Sequence, residues 1–327
     1  MNKPYEIIAD TRKMSHQDWL TMRKAGIGGS DSASAALIGS EGSSLSRWKS
    51  PFTLWAEKTD RIIPAKANNE SLYWGGRLEE ILKCEVKRRM PELEVHDCPF
   101  FLRSKEYPFM IANLDGYVKN PDGSFSVLEI KTAGAYAVQD WQDGLPIEYY
   151  CQVMHYMAVT GMSSAYVAVL LGGNEFRIQR VDREESMVQI LIQGEKRFWD
   201  YVVNDTPPEA RANDLEALNL LYPKAHEKQV ELPAEAKGIL TDYEKASHDL
   251  ELAKKAKEMA EAKLKAMMAD AEIGVIGSHR ISWKNVSTTR LNSTKIKSEL
   301  LTNDDLLKEY SSTTVSRTFK VSAARKK

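Results

Sequence analysis

No run in this sequence approaches the ~20 consecutive apolar residues that a bilayer crossing needs, so no membrane partner is expected. The opening residues, MNKPYEIIAD, lack the apolar stretch of a secretory signal. Cysteine is scarce. Cys84, Cys98 and Cys151 cannot pair evenly, show no C-x-x-C, and fall one short of a four-cysteine iron–sulfur site. A disulfide scaffold is therefore not expected, and the setting reads as a reducing cytoplasm. Six histidines have no zinc-site spacing, and no G-x-x-x-x-G-K-[ST] supports ATP-driven translocation. An excess of one charge is also missing. The 45 Lys and Arg against 46 Asp and Glu leave −1, unlike the basic balance of most nucleic-acid binders. That total hides an asymmetry. From Lys228 to Lys327 there are 19 basic and 14 acidic residues, a net +5, while the other 227 residues hold 26 and 32, a net −6. Charge alone excludes no partner.

What is present is an ordinary globular composition, 43% apolar and 28% charged over 327 residues, enough for about two domains. Ser15-His16-Gln17-Asp18 offers a helix start. Residues 30–37 are small and helix-compatible, and FTLWAEKT (52–59) reads as a short helix. From 74 to 90, Leu78, Ile81, Leu82 and Val86 recur at helical spacing. The period then changes. FMIANLDGYV (109–118) and SFSVLEIKTA (124–133) read as two strands of a hairpin around Asn120-Pro121-Asp122-Gly123. A helix over 149–161, a strand pair at 165–173 and 175–181, and a helix over 184–203 with Met187, Ile190, Leu191 and Phe198 on its apolar face follow. Helices beside a mixed sheet predict an α/β core. Beyond Pro207-Pro208, residues 206–233 read as a polar linker and 234–273 as a long amphipathic helix with a 3–4 apolar alternation. Residues 274–327 read as a small α+β module, with strands in HRISWKNVSTTRLN and VSRTFKVSA and a short helix near 295–309.

The chemistry concentrates on Asp115 in NLDG and on Glu129 and Lys131 in LEIKT. Two residues apart on a strand, Glu129 and Lys131 project from one face while Ile130 points the other way. The turn at 120–123 folds the Asp115 strand back towards that face. An acid and a base at this spacing are by themselves a common surface pair; the apolar strand, the upstream Asp-Gly and the Glu79-Glu80 helix before them change the weight. Two carboxylates and an ammonium at one point suit phosphodiester hydrolysis with Mg²⁺, Mn²⁺ being the alternative. Gly26-Ile27-Gly28-Gly29-Ser30-Asp31 is either a capped tight turn or a loop whose backbone N–H groups approach an anion.

In order along the chain stand RKAGIGGSD (23–31), L-W-x-x-K (54–58), WGGRLE (74–79), ANLDG (112–116), LEIKT (128–132) and P-x-x-Y-x-x-Q-x-x-x-Y (146–156). This combination resembles the YqaJ-type viral recombinase family, which includes the phage lambda-type exonucleases, within the PD-(D/E)XK nuclease superfamily. The resemblance covers residues 1–205 and implies a restriction-endonuclease-like core, a central mixed sheet flanked by helices. It implies metal ligation by Asp115 and Glu129, with the Ile130 backbone carbonyl between them and Glu79 completing the site, Glu80 being the next candidate. It implies Lys131 as catalytic lysine, Gln152 as the residue orienting the site, and Tyr156 in support. Arg23 and Ser30 match positions recognising a 5′-phosphate, with Lys24 secondary. His155 reads as packed or solvent-facing, Trp55 and Trp74 as core residues or base-stacking ones, and Arg47 and Lys49 as a solvated loop or DNA-backbone contacts.

The activity this implies is 5′→3′ exonuclease digestion of linear double-stranded DNA, exposing 3′ single strands for phage-type recombination with a single-strand annealing protein. A homo-oligomer, a trimeric ring, in the cytoplasm of a bacterial host is implied with it. The C-terminal module is a candidate for recruiting that partner or holding subunits together, and the long helix for clamping product strand. The alternatives are an endonuclease with the same site and a non-catalytic DNA-end binder or recombination scaffold.

Overall fold

The structure, a computed structural model, describes residues 3–36, 44–63, 70–226, 228–285 and 287. The chain divides into two compact units, Met1–Pro223 and Lys224–Lys327.

In the first unit, β1 (Tyr5–Asp10) leads to α1 (His16–Lys24), α2 (Gly29–Ala35), α3 (Pro51–Lys58) and α4 (Glu70–Arg89). Local chemistry sets the starts. Ser15 and Asp18 form a reciprocal capping box on α1, and Ser50 caps α3, whose first residue is Pro51. Then come β2 (Glu94–Asp97), β3 (Phe100–Ser104), β4 (Ile111–Asn113), β5 (Gly116–Lys119), β6 (Phe125–Ala133), α5 (Ile147–Thr160), β7 (Ser164–Leu171), β8 (Glu175–Asp182), α6 (Glu185–Val203) and α7 (Leu215–Leu221).

A five-stranded sheet has the order β2-β5-β6-β7-β8, with β6 and β7 parallel and the other neighbours antiparallel. The chain between the parallel strands includes α5, the crossover that parallel pairing requires. Val127, Val167 and Val169 join the core with Val153, Met154 and Met157 of α5. Leu128, Ile130 and Ala168 instead join Leu82 and Val86 of α4. The strand period of two thus turns Glu129 and Lys131 towards α5 and Ile130 towards α4.

The apolar run 109–118 is not one strand. It breaks at Leu114-Asp115: β4 pairs with β3 in a separate β1-β3-β4 sheet, while β5 pairs with β6. Both halves are apolar, so the change of sheet leaves no mark in the hydropathy. Three further expectations change. Ile81 is 61% exposed and α4 buries Leu82, Lys83 and Val86 instead. Ile190 also points outward on α6, whose buried face runs through Val188, Leu191, Ile192 and Phe198. The linker 206–233 contains α7, tied to α3 through the buried Asp214, which accepts from Thr53 Oγ1 at 2.8 Å and from Ser50 Oγ.

In the second unit, α8 (Ala236–Met268) precedes a hairpin of β9 (Ile273–Ile276) and β10 (His279–Ser282). The helix ends at Met268, short of the expected 273. The strand VSRTFKVSA and the helix near 295–309 lie outside the described residues. Among the described residues no helix is long and apolar enough to cross a membrane.

One crossing in the first unit is unusually close. A Cβ at Gly194 of α6 would stand 2.0 Å from the Ala36 carbonyl oxygen, just beyond α2. Gly194→Ala is therefore expected to cost about 3 kcal/mol of stability, measured by chemical denaturation. An unchanged midpoint would show that α6 and the end of α2 do not meet this tightly.

Candidate functional site

Asp115 follows the break between the two sheets, where its Oδ2 accepts the Ile130 amide at 2.8 Å. This bond fixes the corner against β6 and sets the Asp115 carboxylate beside Glu129. Glu129 is 2% exposed. Its Oε1 accepts from Gln152 Nε2 at 2.7 Å and from the Lys131 ammonium, while Oε2 is buried without a hydrogen-bond partner. The relay continues away from the acids. Gln152 Nε2 also donates to Tyr156 Oη at 3.1 Å, and that hydroxyl donates to the Asn113 carbonyl at 3.2 Å.

Burial dominates the electrostatics. It pushes the Asp115 carboxyl well above the usual carboxylate range, and the charges of Glu129 and Glu79 add to the push against the pull of Lys131. Glu129 is raised by burial too, Lys131 opposing. For Lys131 burial acts downward, but Glu129 and Asp115 override it and keep it an ammonium. Two buried acids thus face one buried cation, so ionisation of both is disfavoured until a second positive charge is supplied. Their oxygens are donors of the kind that hard divalent cations take.

Glu79 lies near enough to act on both acids electrostatically, yet its carboxylate is drawn to Lys83 Nζ at 2.8 Å, which also meets Asp97 at 3.2 Å. Glu80 is exposed. Among the described residues no group of three or more His, Cys, Asp and Glu stands close enough to hold a metal ion. The structure therefore brings Asp115, Glu129, Lys131, Gln152 and Tyr156 together and leaves Glu79 beside them, engaged elsewhere.

The glycine loop adjoins this cluster. Ile27 is stitched to the strand before Asp115, its amide donating to Phe109 O at 2.7 Å and its carbonyl accepting the Ile111 amide at 2.9 Å. Gly29 begins α2 directly against α5: a Cβ there would fall 2.5 Å from the Tyr156 ring and 2.9 Å from Gln152 Cγ. Arg23 Nη2 donates to Ser30 Oγ at 2.6 Å, and its guanidinium lies 5.0 Å over the Trp19 ring. Trp19 Nε1 in turn donates to Asn113 Oδ1 at 3.1 Å. Lys24 is spent on Asp60.

Two buried ion pairs behind the loop had no role in the sequence reading. Lys58 Nζ meets Asp31 at 2.7 Å and also donates to the carbonyls of Arg23 and Gly26 at 2.6 and 2.7 Å. Burial works against the Asp31 charge, yet Lys58 and Arg23 hold the carboxyl well below the usual carboxylate range. His155, fully buried, donates from Nε2 to the Ile111 carbonyl at 2.9 Å and turns Nδ1 to Glu195 at 2.8 Å. A carbonyl only accepts, so the second nitrogen and Glu195 share the remaining proton. Burial lowers the affinity of His155 for it, but Glu195 more than restores that affinity.

Around the site, Trp55 is buried as expected, whereas Trp74 is 54% exposed. Arg47 and Lys49 are engaged by protein carboxylates, Arg47 with Asp140 and Glu148 and Lys49 with Glu57.

A family model described as a YqaJ-like viral recombinase domain matches residues 18–163, the span that holds every residue of this site. A relative from Bacillus subtilis (strain 168), "Uncharacterized protein YqaJ", is 33% identical over 306 residues, covering 91% of this chain and 92% of the relative. The chain belongs to the YqaJ-like viral recombinase family. Among solved structures, this YqaJ-like chain is similar to an alkaline exonuclease (LHK-Exo) from Laribacter hongkongensis, at 16% identity and a TM-score of 0.47 over 58% of this chain and 93% of that one. The same exonuclease in complex with dAMP gives 17% and 0.47 over 62% and 96%. A phage related exonuclease from Haemophilus somnus 129PT gives 11% and 0.41 over 57% and 99%.

Two outcomes follow from the electrostatics. Asp31 contributes stability fully above the unfolded carboxylate pKa, near 4, and loses it as pH falls through its depressed folded value. Asp31→Asn is expected to lower stability at pH 7 by about 3–5 kcal/mol, since Lys58 is left buried and unpaired, and to flatten the acid limb of a stability–pH profile. Asp115→Asn is expected to act oppositely in chelator, raising stability by about 1–2 kcal/mol by removing a buried carboxyl whose ionisation burial and Glu129 disfavour. A lowered denaturation midpoint would contradict this account of Asp115.

Proposed function

We propose that this YqaJ-like protein is a metal-dependent exodeoxyribonuclease. Its substrate is linear double-stranded DNA, from which it removes one strand 5′→3′, starting at 5′-phosphorylated ends. The observation that carries the reading is the buried Asp115–Glu129 pair faced by a single lysine, with Glu129 Oε2 unpartnered. Such a site is poorly adapted to stability and suits a divalent cation, Mg²⁺ or alternatively Mn²⁺, taken by the two carboxylates and the Ile130 carbonyl. Glu79, paired with Lys83 at 2.8 Å, would be the third acid of the set. When bound, the ion supplies a water of lowered pKa and charge stabilisation at the phosphate.

The protein's own groups do the rest. Lys131, held as an ammonium between the acids, offsets charge on the scissile phosphate. Gln152 fixes the Glu129 carboxylate and is itself held by Tyr156. Arg23, already directed at Ser30, offers a fork of donors to a terminal phosphate. The family membership supports a role in phage-type recombination, in which exposed 3′ strands pass to a single-strand annealing protein. A homo-oligomeric ring, trimeric in this reading, would enclose the duplex and keep the protein on it without a motor, and the bacterial host cytoplasm is its setting. The second unit recruits the annealing protein or holds subunits together.

The test is digestion of 5′-phosphorylated linear duplex with Mg²⁺. Wild type should degrade it while sparing covalently closed circles. Asp115→Ala and Lys131→Ala should lose about 10²–10³-fold, the scale of removing a transition-state stabiliser. Arg23→Ala should keep the chemistry but lose the preference for 5′-phosphate over 5′-hydroxyl ends. Intact duplex with wild type, or full activity in both site variants, would remove the nuclease reading; persistent cutting of closed circles would make it an endonuclease.

A further inference from the structure

Trp48 is 58% exposed, yet residues 44–49 around it are held at several points. Ser44 Oγ donates to the Ala33 carbonyl at 3.2 Å. Ser46 Oγ accepts the amides of Trp48 and Lys49, both at 3.2 Å. The Arg47 amide donates to the buried Glu148 at 3.3 Å. The Arg47 guanidinium, clamped between Asp140 at 2.9 Å and Glu148 at 3.1 Å, stands 5.6 Å from the Trp48 ring centroid.

The other neighbour of that ring is aromatic. Tyr149 lies 5.4 Å from Trp48 at 48°, and itself stacks on the buried Trp141 at 5.2 Å and 28°. The Lys131 ammonium sits 5.0 Å over Tyr149. A ladder of three rings therefore runs from the core to solvent, with the lysine of the candidate site over its middle rung.

We propose that the open face of Trp48 stacks on a nucleobase of the strand held at Asp115, Glu129 and Lys131, an inference that rests on the nuclease reading. A nucleobase offers a flat π-face of matching size, and stacking on an aromatic is sequence-tolerant, so one ring can serve each base in turn as a strand is digested. Rigidity favours this use, because a fixed ring loses little freedom on binding. Arg47 is neutralised by two carboxylates, so this loop presents a stacking face and not a phosphate clamp. Trp48 is a binding residue here, and its loss should weaken substrate capture more than turnover.

The test measures equilibrium binding of the full-length protein, in Ca²⁺, to 5′-phosphorylated duplexes with single abasic sites at successive positions from the 5′ end. One such position should weaken wild-type binding about tenfold, the scale of one base–aromatic stack. Trp48→Ala should bind the unmodified duplex about tenfold more weakly and be indifferent to the abasic site at that position. Trp48→Phe should restore most of the affinity, and in Mg²⁺ the Trp48→Ala defect should lie in KM and not in kcat. Unchanged binding by Trp48→Ala overturns the proposal, as does a Trp48→Ala loss that multiplies with the abasic loss. So does a Trp48→Ala defect confined to capture of a protein partner. A wild type that shows the Trp48-dependent base effect but leaves the strand intact in Mg²⁺ supports the stacking face and ends the nuclease reading; one that binds no duplex ends both.

Discussion

The hydrogen bond from the Ile130 amide to Asp115 is the contact on which the candidate site turns. It closes the corner where the chain leaves the β1-β3-β4 sheet and enters the larger one. The β5–β6 register, with Gly116 opposite Leu128, brings Asp115 level with Glu129, and the bond holds its carboxylate there as the chain turns out of β4. With it, two carboxylates are buried together on the face that α5 covers, and an unfavourable charge arrangement is built into the middle of the core. A buried like-charge pair costs several kcal/mol unless something compensates, and here one lysine compensates only in part. The surrounding fold must supply the difference.

Much of that supply is packing by α5 and its neighbours. Val153, Met154 and Met157 anchor the helix in the main core, so Gln152 reaches Glu129 from a fixed base, with Tyr156 holding it from behind. The ion pair His155–Glu195 holds α6 against the same helix, and Asp31–Lys58 ties α2 to α3 beside it. Each pair is fully engaged by further donors or acceptors, the condition under which a buried ion pair is tolerable. Lys58 makes the point most clearly: one ammonium binds a carboxylate and two loop carbonyls, and so fixes the backbone from Arg23 to Asp31 as a unit.

Sequence reasoning reached the parts of this arrangement that repeat or alternate. The opposite facing of Glu129 and Ile130 follows from strand period, and α5 is legible from its apolar spacing and the glycine that ends it. Grouping Asp115 with Glu129 and Lys131 needed only the turn at 120–123. The split of residues 109–118 was hidden because both halves are equally apolar and equally strand-like. Asp31–Lys58, Thr53–Asp214 and His155–Glu195 join residues far apart in the chain with no periodic signature. Trp48 escaped notice for a related reason: a lone aromatic in a loop has no pattern, and only the ladder through Tyr149 gives it meaning. Trp74 and Ile81 show the converse, apolar residues at helical spacing on a side of α4 that the sheet does not cover.

The missing side chain at Gly29 has a consequence for how this site can change. Its backbone occupies the space beside Tyr156 and Gln152 that any larger residue would need. Positions 29, 152 and 156 therefore form one unit of variation, although more than a hundred residues separate the first from the others. An alanine at 29 becomes admissible only with a smaller side chain at 156, and that change removes the hydroxyl that steadies Gln152. Anyone transplanting this helix into another scaffold would have to carry the glycine turn along with it.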